Sequence, residues 1–255
     1  MNDELYTTSV KAMEWDETLS MSIAQEIFPM TTLAFYQLIK PARVFLLDHV
    51  GEDLQSDLES LIASTPKPTT ISTSFPKRVP ASIMEDLGFE YSPGQTIRLM
   101  LLDDNDSVSP VPAGVIIQKI ASLDDKEMWE ERILVEAELF QYPPTGYIDR
   151  LRVGLATMFE NDTHFLAFDN IKVIGYMTMR YTRGIAYLQG AGVLEPYRRQ
   201  GITRHLLDLA KQDAKSKNFI SMVTTGWNDA AEATWASLGF TTVLGTLETW
   251  TLKLT

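Results

Sequence analysis

The chain has 255 residues with 45% hydrophobic content, enough for one large domain or two small ones, each with its own core. It contains no cysteine, which removes disulfides, thiolate zinc sites and a cysteine nucleophile, and its three histidines (His49, His164, His205) lack ligand spacing, so no metal site is expected. A net charge of -12 argues against nucleic acid as a partner, yet residues 1–112 hold 7 Lys/Arg against 17 Asp/Glu while the remainder holds 15 against 17, so positive charge concentrates in the second half.

Met1-Asn2-Asp3-Glu4 lacks the basic start and apolar run of a signal peptide, and no stretch approaches a membrane-spanning length, so a soluble cytoplasmic protein is expected. In chain order, Thr18 to Ile39 reads as one or two helices broken near Pro29, and Arg43 to Val50 as a buried strand ended by Gly51. Glu52 to Ala63 places Leu54, Leu58, Leu61 and Ile62 on one helical face; Thr69 to Phe75 is a β-branched strand. Pro80 to Leu87 is a short helix with Gly88 after it, and Phe89 to Leu102 a hairpin turning at Pro93-Gly94.

The run Asp-Asp-Asn-Asp-Ser-Val-Ser-Pro-Val-Pro at 103–112 is acidic and proline-bearing, and reads as a boundary between a first domain, 1–110, and a second, 113–255. The second begins with a strand at Gly114 to Ile120 and helices at Asp124 to Phe140 and Tyr147 to Phe159. A hairpin of His164 to Phe168 and Lys172 to Arg180 follows, then a strand from Ile185 to Leu194. A helix from Ile202 to Lys217, a strand from Phe219 to Thr225, a helix from Asp229 to Leu238 and a hairpin across Thr241 to Leu254, turning near Gly245, complete the chain. Alternating strands and helices predict an α/β fold with a mixed sheet.

An internal repeat runs at an offset of 151, the difference between Met84 and Trp235: Met84-Glu85-Asp86-Leu87-Gly88-Phe89 aligns with Trp235-Ala236-Ser237-Leu238-Gly239-Phe240. The same register sets Gly94 on Gly245, Ile71 on Met222 and the helix at Glu52 on the one at Thr203. This predicts a duplication with a truncated first copy. Where the second copy has a basic turn, the first has Asp48-His49-Val50-Gly51-Glu52-Asp53, whose carboxylates repel phosphate.

That basic turn is the most informative stretch. Gly190-Ala191-Gly192-Val193-Leu194 is a strand, Glu195-Pro196-Tyr197-Arg198-Arg199-Gln200-Gly201 a turn, and Ile202-Thr203-Arg204-His205-Leu206 the start of a helix. A glycine turn opening a helix presents free N–H groups at the positive end of the helix dipole, and arginines add counter-charge, which makes an anion site.

On these residues, 113–255 resembles the GCN5-related N-acetyltransferase (GNAT) superfamily, whose members carry (Arg/Gln)-x-x-Gly-x-(Gly/Ala) between a strand and a helix. Here the turn stands as Arg198-Arg199-Gln200-Gly201-Ile202-Thr203, preceded by Val193-Leu194-Glu195-Pro196-Tyr197-Arg198. Asn228-Asp229-Ala230-Ala231-Glu232-Ala233-Thr234-Trp235, followed by Gly239-Phe240, is similar to the family's downstream segment. Two positions depart: Thr203 replaces a Gly or Ala, and Trp235 stands where many members have a tyrosine that protonates the leaving thiolate. Thr203 narrows backbone approach, although its hydroxyl can bond a phosphate or cap the helix. Trp235 donates a hydrogen bond but does not titrate as an acid.

The resemblance implies a GNAT fold, tandem and with a degenerate first half, and an N-acetyltransferase moving acetyl from acetyl-coenzyme A to a primary amine by direct attack; the alternative is a non-catalytic acyl-coenzyme A binder. It implies Ala191, Gly192, Val193, Arg198, Arg199, Gln200, Gly201, Ile202, Thr203 and Asn228 as coenzyme contacts, with Asn228 equally readable as a helix N-cap. Alternation puts Tyr187, Gln189, Ala191 and Val193 on one strand face, and Tyr187, Gln189 and Glu195 are the weak candidates for proton transfer, beside Glu136, Glu138, Tyr142 and Tyr147 on the helices. The implied partner is a small-molecule or peptide amine, with no nucleic acid, membrane or metal; a homodimer is compatible with it.

Overall fold

The structure, a computed structural model, describes residues 2–10, 25–29, 33–37, 42–46, 54–65, 67, 69–76, 80–92, 97–102, 112–141, 147–219, 221–226 and 228–255. The expected domain boundary at 103–110 lies outside the described residues, as do the Pro93-Gly94 turn and Asp48 to Asp53. Packing divides the chain into two units: one of Met1–Met100, Thr225–Ser237 and Thr241–Thr255, the other of Leu101–Thr224 and Leu238–Phe240.

In the first unit, helix α1 (Asn2–Val10) precedes strands β1 (Gln25–Pro29), β2 (Leu33–Gln37) and β3 (Ala42–Leu46). Helix α2 (Leu54–Ser64) leads to β4 (Thr69–Pro76), then α3 (Ala81–Asp86), β5 (Glu90–Tyr91) and β6 (Ile97–Leu101). β1 pairs antiparallel with β2 and β2 with β3, whereas β3 and β4 run parallel, Ala42↔Ile71 to Phe45↔Ser74. The expected helices over 18–39 are therefore corrected at 25–29 and 33–37, which are strands. Runs such as Gln-Glu-Ile-Phe-Pro and Leu-Ala-Phe-Tyr-Gln are too short to separate a period of 3.6 from one of 2, and pairing along the sheet decides.

The C-terminal strand β12 (Thr242–Leu254) lies in this same unit, with β4 on one edge (Leu247↔Pro76 to Leu254↔Thr69) and β5 and β6 on the other. Two expected hairpins are corrected here. β5 pairs with β12, Trp250↔Tyr91, rather than folding back on β6. Gly245 is not a turn: β12 is one strand of 13 residues, and a Cβ at Gly245 would overlap the ring of Tyr6 on α1. Tyr6 donates its hydroxyl to the Thr246 carbonyl at 3.0 Å, so the glycine is required by close approach and not by a bend. The core gathers Leu54, Leu58, Leu61, Ile71, Met84, Phe89, Trp250 and Leu254 from both ends of the chain.

The second unit is a five-stranded sheet, β7 (Val115–Lys119), β8 (Asp162–Asp169), β9 (Lys172–Thr182), β10 (Ile185–Val193) and β11 (Ser221–Gly226), neighbouring in that order. The junctions are antiparallel except β10 to β11, which is parallel. Helices α4 (Lys126–Phe140) and α5 (Tyr147–Thr157) come before β8. Asp125 caps α4 through the Met128 N–H, and Trp129, Ile133, Leu151 and Leu155 pack on Leu166, Tyr176 and Leu194. Helix α6 (Ile202–Ser216) makes the crossover, burying Ile202, Leu206, Leu207, Ala210 and Ala214 on one stripe. Helix α7 (Asp229–Ser237) follows β11 in sequence and, with Thr225 and Gly226 at the end of that strand, falls in the first unit. Among the described residues no helix is long and apolar enough to cross a membrane.

Candidate active site

The strand entering the basic turn is unlike its neighbours. β10 pairs with β9 along its whole length, from Ile185↔Thr182 to Val193↔Gly175, but the register shifts between Leu188 and Gly190, leaving Gln189 as an extra residue. On its other edge β10 pairs with β11 only from Ile185↔Ser221 to Leu188↔Thr224. Parallel pairing thus stops where the bulge begins, as expected when an added residue bends and twists a strand.

The bulge also corrects the expected faces. Tyr187 pairs with Arg180, Gly190 with Thr178 and Gly192 with Tyr176, so these share a face; Ala191 and Val193, opposite Met177 and Gly175, lie on the other. One inserted residue reverses the parity of everything after it, so Tyr187 does not share a face with Ala191 and Val193. The Leu194 N–H donates to the Ile174 carbonyl at 2.8 Å, toward β9. Alternation then turns the Val193 and Ala191 N–H groups to the edge beyond the β11 pairing. The Val193 carbonyl on that edge accepts from Arg198 Nε at 3.0 Å, tying the turn to the strand.

The turn itself opens with a 3-10 segment, Glu195–Tyr197. Arg199 has φ +61° and Gly201 φ +83°, while Gln200 between them is not left-handed. Alternating signs of φ aim successive N–H groups to one side, the arrangement of an anion nest. Gly201 is the N-cap of α6 without any side-chain cap, and a Cβ there meets open space, so the first-turn N–H groups of α6 are left to a ligand. Thr203, half-buried, does not cap the helix. Arg198, Arg199 and Gln200 are exposed, Gln200 Nε2 donating to the Pro196 carbonyl at 3.4 Å, and Ile202 is buried and anchors the turn from below.

Gly192 serves packing as well as the strand edge. A Cβ on it would stand 2.7 Å from Leu139 Cδ1 of α4. Of the remaining candidates, Tyr187 is fully buried, Glu195 is exposed on the 3-10 turn, and the Gln189 amide oxygen is buried with no partner among the described residues. Glu136 is buried and ion-paired with Arg132 at 2.6 Å, and Glu138 faces solvent. Tyr142 and the Tyr147 side chain lie outside the described residues. Asn228 accepts the Ala231 N–H at 2.9 Å, the N-cap role that was its local alternative, and Trp235 is buried.

Sequence reading missed a buried polar network beside the bulge. Arg132, with no exposed surface, donates to Thr178 Oγ1 through Nε (3.3 Å) and Nη2 (2.8 Å), and its guanidinium lies 3.8 Å over the Tyr176 ring. Since Thr178 Oγ1 accepts from the guanidinium, its one proton goes to His164 Nδ1, 3.0 Å away, so the neutral imidazole carries its hydrogen on Nε2. Burial first, then Arg132 and Arg180, hold the His164 pKa well below its usual value. Arg180 grips Asp162 at 2.9 and 3.0 Å. The Tyr176 hydroxyl stands 3.1 Å from where a Gly190 Cβ would be, so this network backs the bulge. Its signal in the sequence is the period of two in β9, where Tyr176, Thr178 and Arg180 interrupt an otherwise apolar strand. Among the described residues no three His, Asp or Glu side chains converge as metal ligands.

A search of curated proteins returns no significant match. In fold, the chain is similar to a GCN5-related N-acetyltransferase from Kribbella flavida, with 13% identity, 96% of this chain and 95% of that one covered, and a TM-score of 0.65. It is similar to a tandem GNAT protein from the clavulanic acid biosynthesis pathway (18% identity, 87% and 78% covered, TM-score 0.65). It is also similar to a functionally unknown conserved protein from Staphylococcus epidermidis (17%, 91% and 95%, TM-score 0.61). The family model for the acetyltransferase (GNAT) family matches residues 121–240, so that segment is similar to the GNAT family.

Proposed function

We propose that the protein transfers acetyl from acetyl-coenzyme A to a primary amine by direct attack on the thioester. The observation that carries this reading is the coincidence of three features within 15 residues, from Gln189 to Thr203: a bulge, the end of parallel pairing, and an uncapped helix reached through an anion nest. Together they offer donors to a diphosphate at Arg198, Arg199, Gln200, Gly201, Ile202 and Thr203. They also leave an unpaired strand edge at Ala191, Gly192 and Val193, suited to the extended, amide-bearing arm of the coenzyme. The residues present therefore fit the group.

Acetyl-coenzyme A, when bound, supplies an activated acyl carbon and a thiol leaving group. The chain's part is to hold and polarise it. The Val193 or Ala191 N–H is assigned to the acetyl oxygen, a kind of preorganised donor worth ~10²–10³-fold in rate. The site works in the cytoplasm on a soluble small-molecule or peptide amine.

We further infer that residues 1–110 and 113–255 descend from a duplication. What supports this is the repeated order antiparallel, antiparallel, parallel in β1–β4 and β8–β11, each with a helix between its parallel strands (α2, α6) and another after them (α3, α7).

The test is thermal unfolding with acetyl-coenzyme A, followed by thiol release against an amine panel. At about 100 times Kd, binding adds about 2.7 kcal/mol, a rise of about 5–10 °C for a chain of this size. Gly201→Glu, which puts a side chain and a negative charge in the nest, should abolish the shift and reduce turnover by at least an order of magnitude. No shift in the wild type at millimolar ligand, or a shift untouched in Gly201→Glu, overturns the reading.

A further inference from the structure

A pocket of about 300 Å³ lies in the second unit, along the later turns of α6. Leu102, Phe219 and Met222 supply its apolar walls, and Lys211, Lys215 and Asn218 the polar ones. Lys211 stands ten residues beyond Gly201, roughly 15 Å along the helix, and Met222 lies at the start of β11, before its pairing with β10 ends. The walls are fixed by backbone bonds. The Leu102 N–H donates to the Met222 carbonyl at 2.9 Å. Asn218 ends α6 with a left-handed φ of +63°, and the Phe219 N–H returns to the Ala214 carbonyl at 2.9 Å, so the helix stop decides where Phe219 stands. Its ring then lies 5.0 Å from that of Tyr181, which is held by a 2.7 Å hydrogen bond to Asp213 and by Lys217 Nζ, 3.9 Å over its face.

We propose that this pocket binds a planar, bicyclic aromatic carboxylate. A cavity of about 150 Å³ takes benzene, so one of about 300 Å³ admits two fused rings. Phe219 offers a ring for stacking and Met222 a polarisable thioether, both of which favour an aromatic body over an alkyl chain. Lys211 and Lys215, four residues apart, are neighbours on one face of α6. Lysine stems lie along apolar surface and carry their ammonium groups to its edge, which suits a carboxylate attached to an apolar body. Asp213, the acid between the two lysines, is engaged by Lys119, Lys217 and Tyr181 and so does not oppose an incoming anion. The negative end of α6 is closed as well, because the N–H groups of Lys217, Asn218 and Phe219 cover its last carbonyls. The pocket does not depend on the acetyl-transfer reading.

The probe is 2-naphthoate, measured on the full chain by equilibrium dialysis, with 2-naphthamide as its neutral isostere and decanoate as an aliphatic acid. 2-Naphthoate should bind one equivalent with Kd below about 1 mM, and about 5-fold or more tightly than either analogue. Lys211→Met combined with Lys215→Met removes both charges and keeps the stems. That variant should weaken 2-naphthoate about 10-fold while leaving 2-naphthamide within about two-fold. Leu102→Trp, which fills the pocket and leaves the lysines, should abolish binding of both; should it fail to fold, Leu102→Phe takes its place. Acetyl-coenzyme A at saturation should leave 2-naphthoate binding unchanged. Competition between the two would assign the pocket to the coenzyme and overturn the proposal. So would the absence of binding at about 1 mM 2-naphthoate, equal affinity for decanoate, or equal affinity in the lysine double variant. The acetyl-transfer reading fails by a separate measurement, the missing thermal shift with acetyl-coenzyme A, so the two failures stay distinguishable.

Discussion

His164 shows how one residue's charge state is written by its surroundings. It is buried between Trp129, whose ring meets it edge-on at 5.2 Å, and Phe159, stacked at 5.9 Å, and it faces Arg132 through Thr178. Its pKa in the folded chain lies well below the value near 6.5 that it takes when unfolded. The unfolded chain therefore binds a proton that the folded chain refuses, and stability falls as pH drops below about 6.5. Between pH 7.5 and 5.5 this group should therefore lower Tm as the pH falls. His164→Asn, which keeps an acceptor for Thr178, should flatten that part of the Tm profile; parallel profiles would mean that the folded imidazole is charged. Gly192 makes a steric case at the same scale. In Gly192→Ala the new methyl would press on Leu139, at a cost of about 1–3 kcal/mol by urea unfolding, and Leu139→Ala in the same chain should recover part of it as a measurable coupling.

At the scale of elements, strand β12 and helix α1 illustrate why a glycine in sequence is ambiguous. Gly245 occurs between Leu244 and Thr246 in a run that reads naturally as two strands and a turn. Its backbone is instead extended, and the missing side chain makes room for Tyr6. Gly245→Ala should therefore destabilise the protein by about 1–3 kcal/mol through overpacking, and Tyr6→Ala should make the same substitution tolerable. Were Gly245 a turn residue, the penalty would persist without the tyrosine. The α6 turn presents the opposite situation. Gly201 has free space around it and a left-handed backbone, so its motif and its conformation are the same fact, and the reading from sequence needed no distant contact.

At the scale of the whole molecule, the ends of the chain share a core. Trp250 and Leu254 pack with Leu54, Leu58, Ile71 and Phe89, and Tyr91 lies against Trp250 with ring centroids 5.3 Å apart. In the other unit, the Leu102 N–H donates to the Met222 carbonyl at 2.9 Å. A fragment of residues 113–255 accordingly leaves β12 without β4 and β5, and exposes Trp250. It should be less soluble than the full chain and unfold at a lower temperature, as read by sedimentation and circular dichroism; equal behaviour would show that β12 needs neither strand.

The sequence by itself determined whatever is local. Helices α2, α4, α6 and α7, the β8–β9 hairpin and the basic glycine turn before α6 were legible because amphipathic period, caps and glycine chemistry act over a few residues. The GNAT likeness followed because its signature is a strand, turn and helix in succession. Tertiary structure alone decided the rest. Only pairing could make strands of 25–29 and 33–37, send β12 to β4, and leave Gln189 outside the ladder, since hydrogen-bond register depends on a neighbour distant in sequence. The same bulge reversed the faces of β10 and gathered Arg132, Thr178 and His164 behind it, from three elements whose charges and hydroxyls carry no mark of their partners until the sheet brings them together.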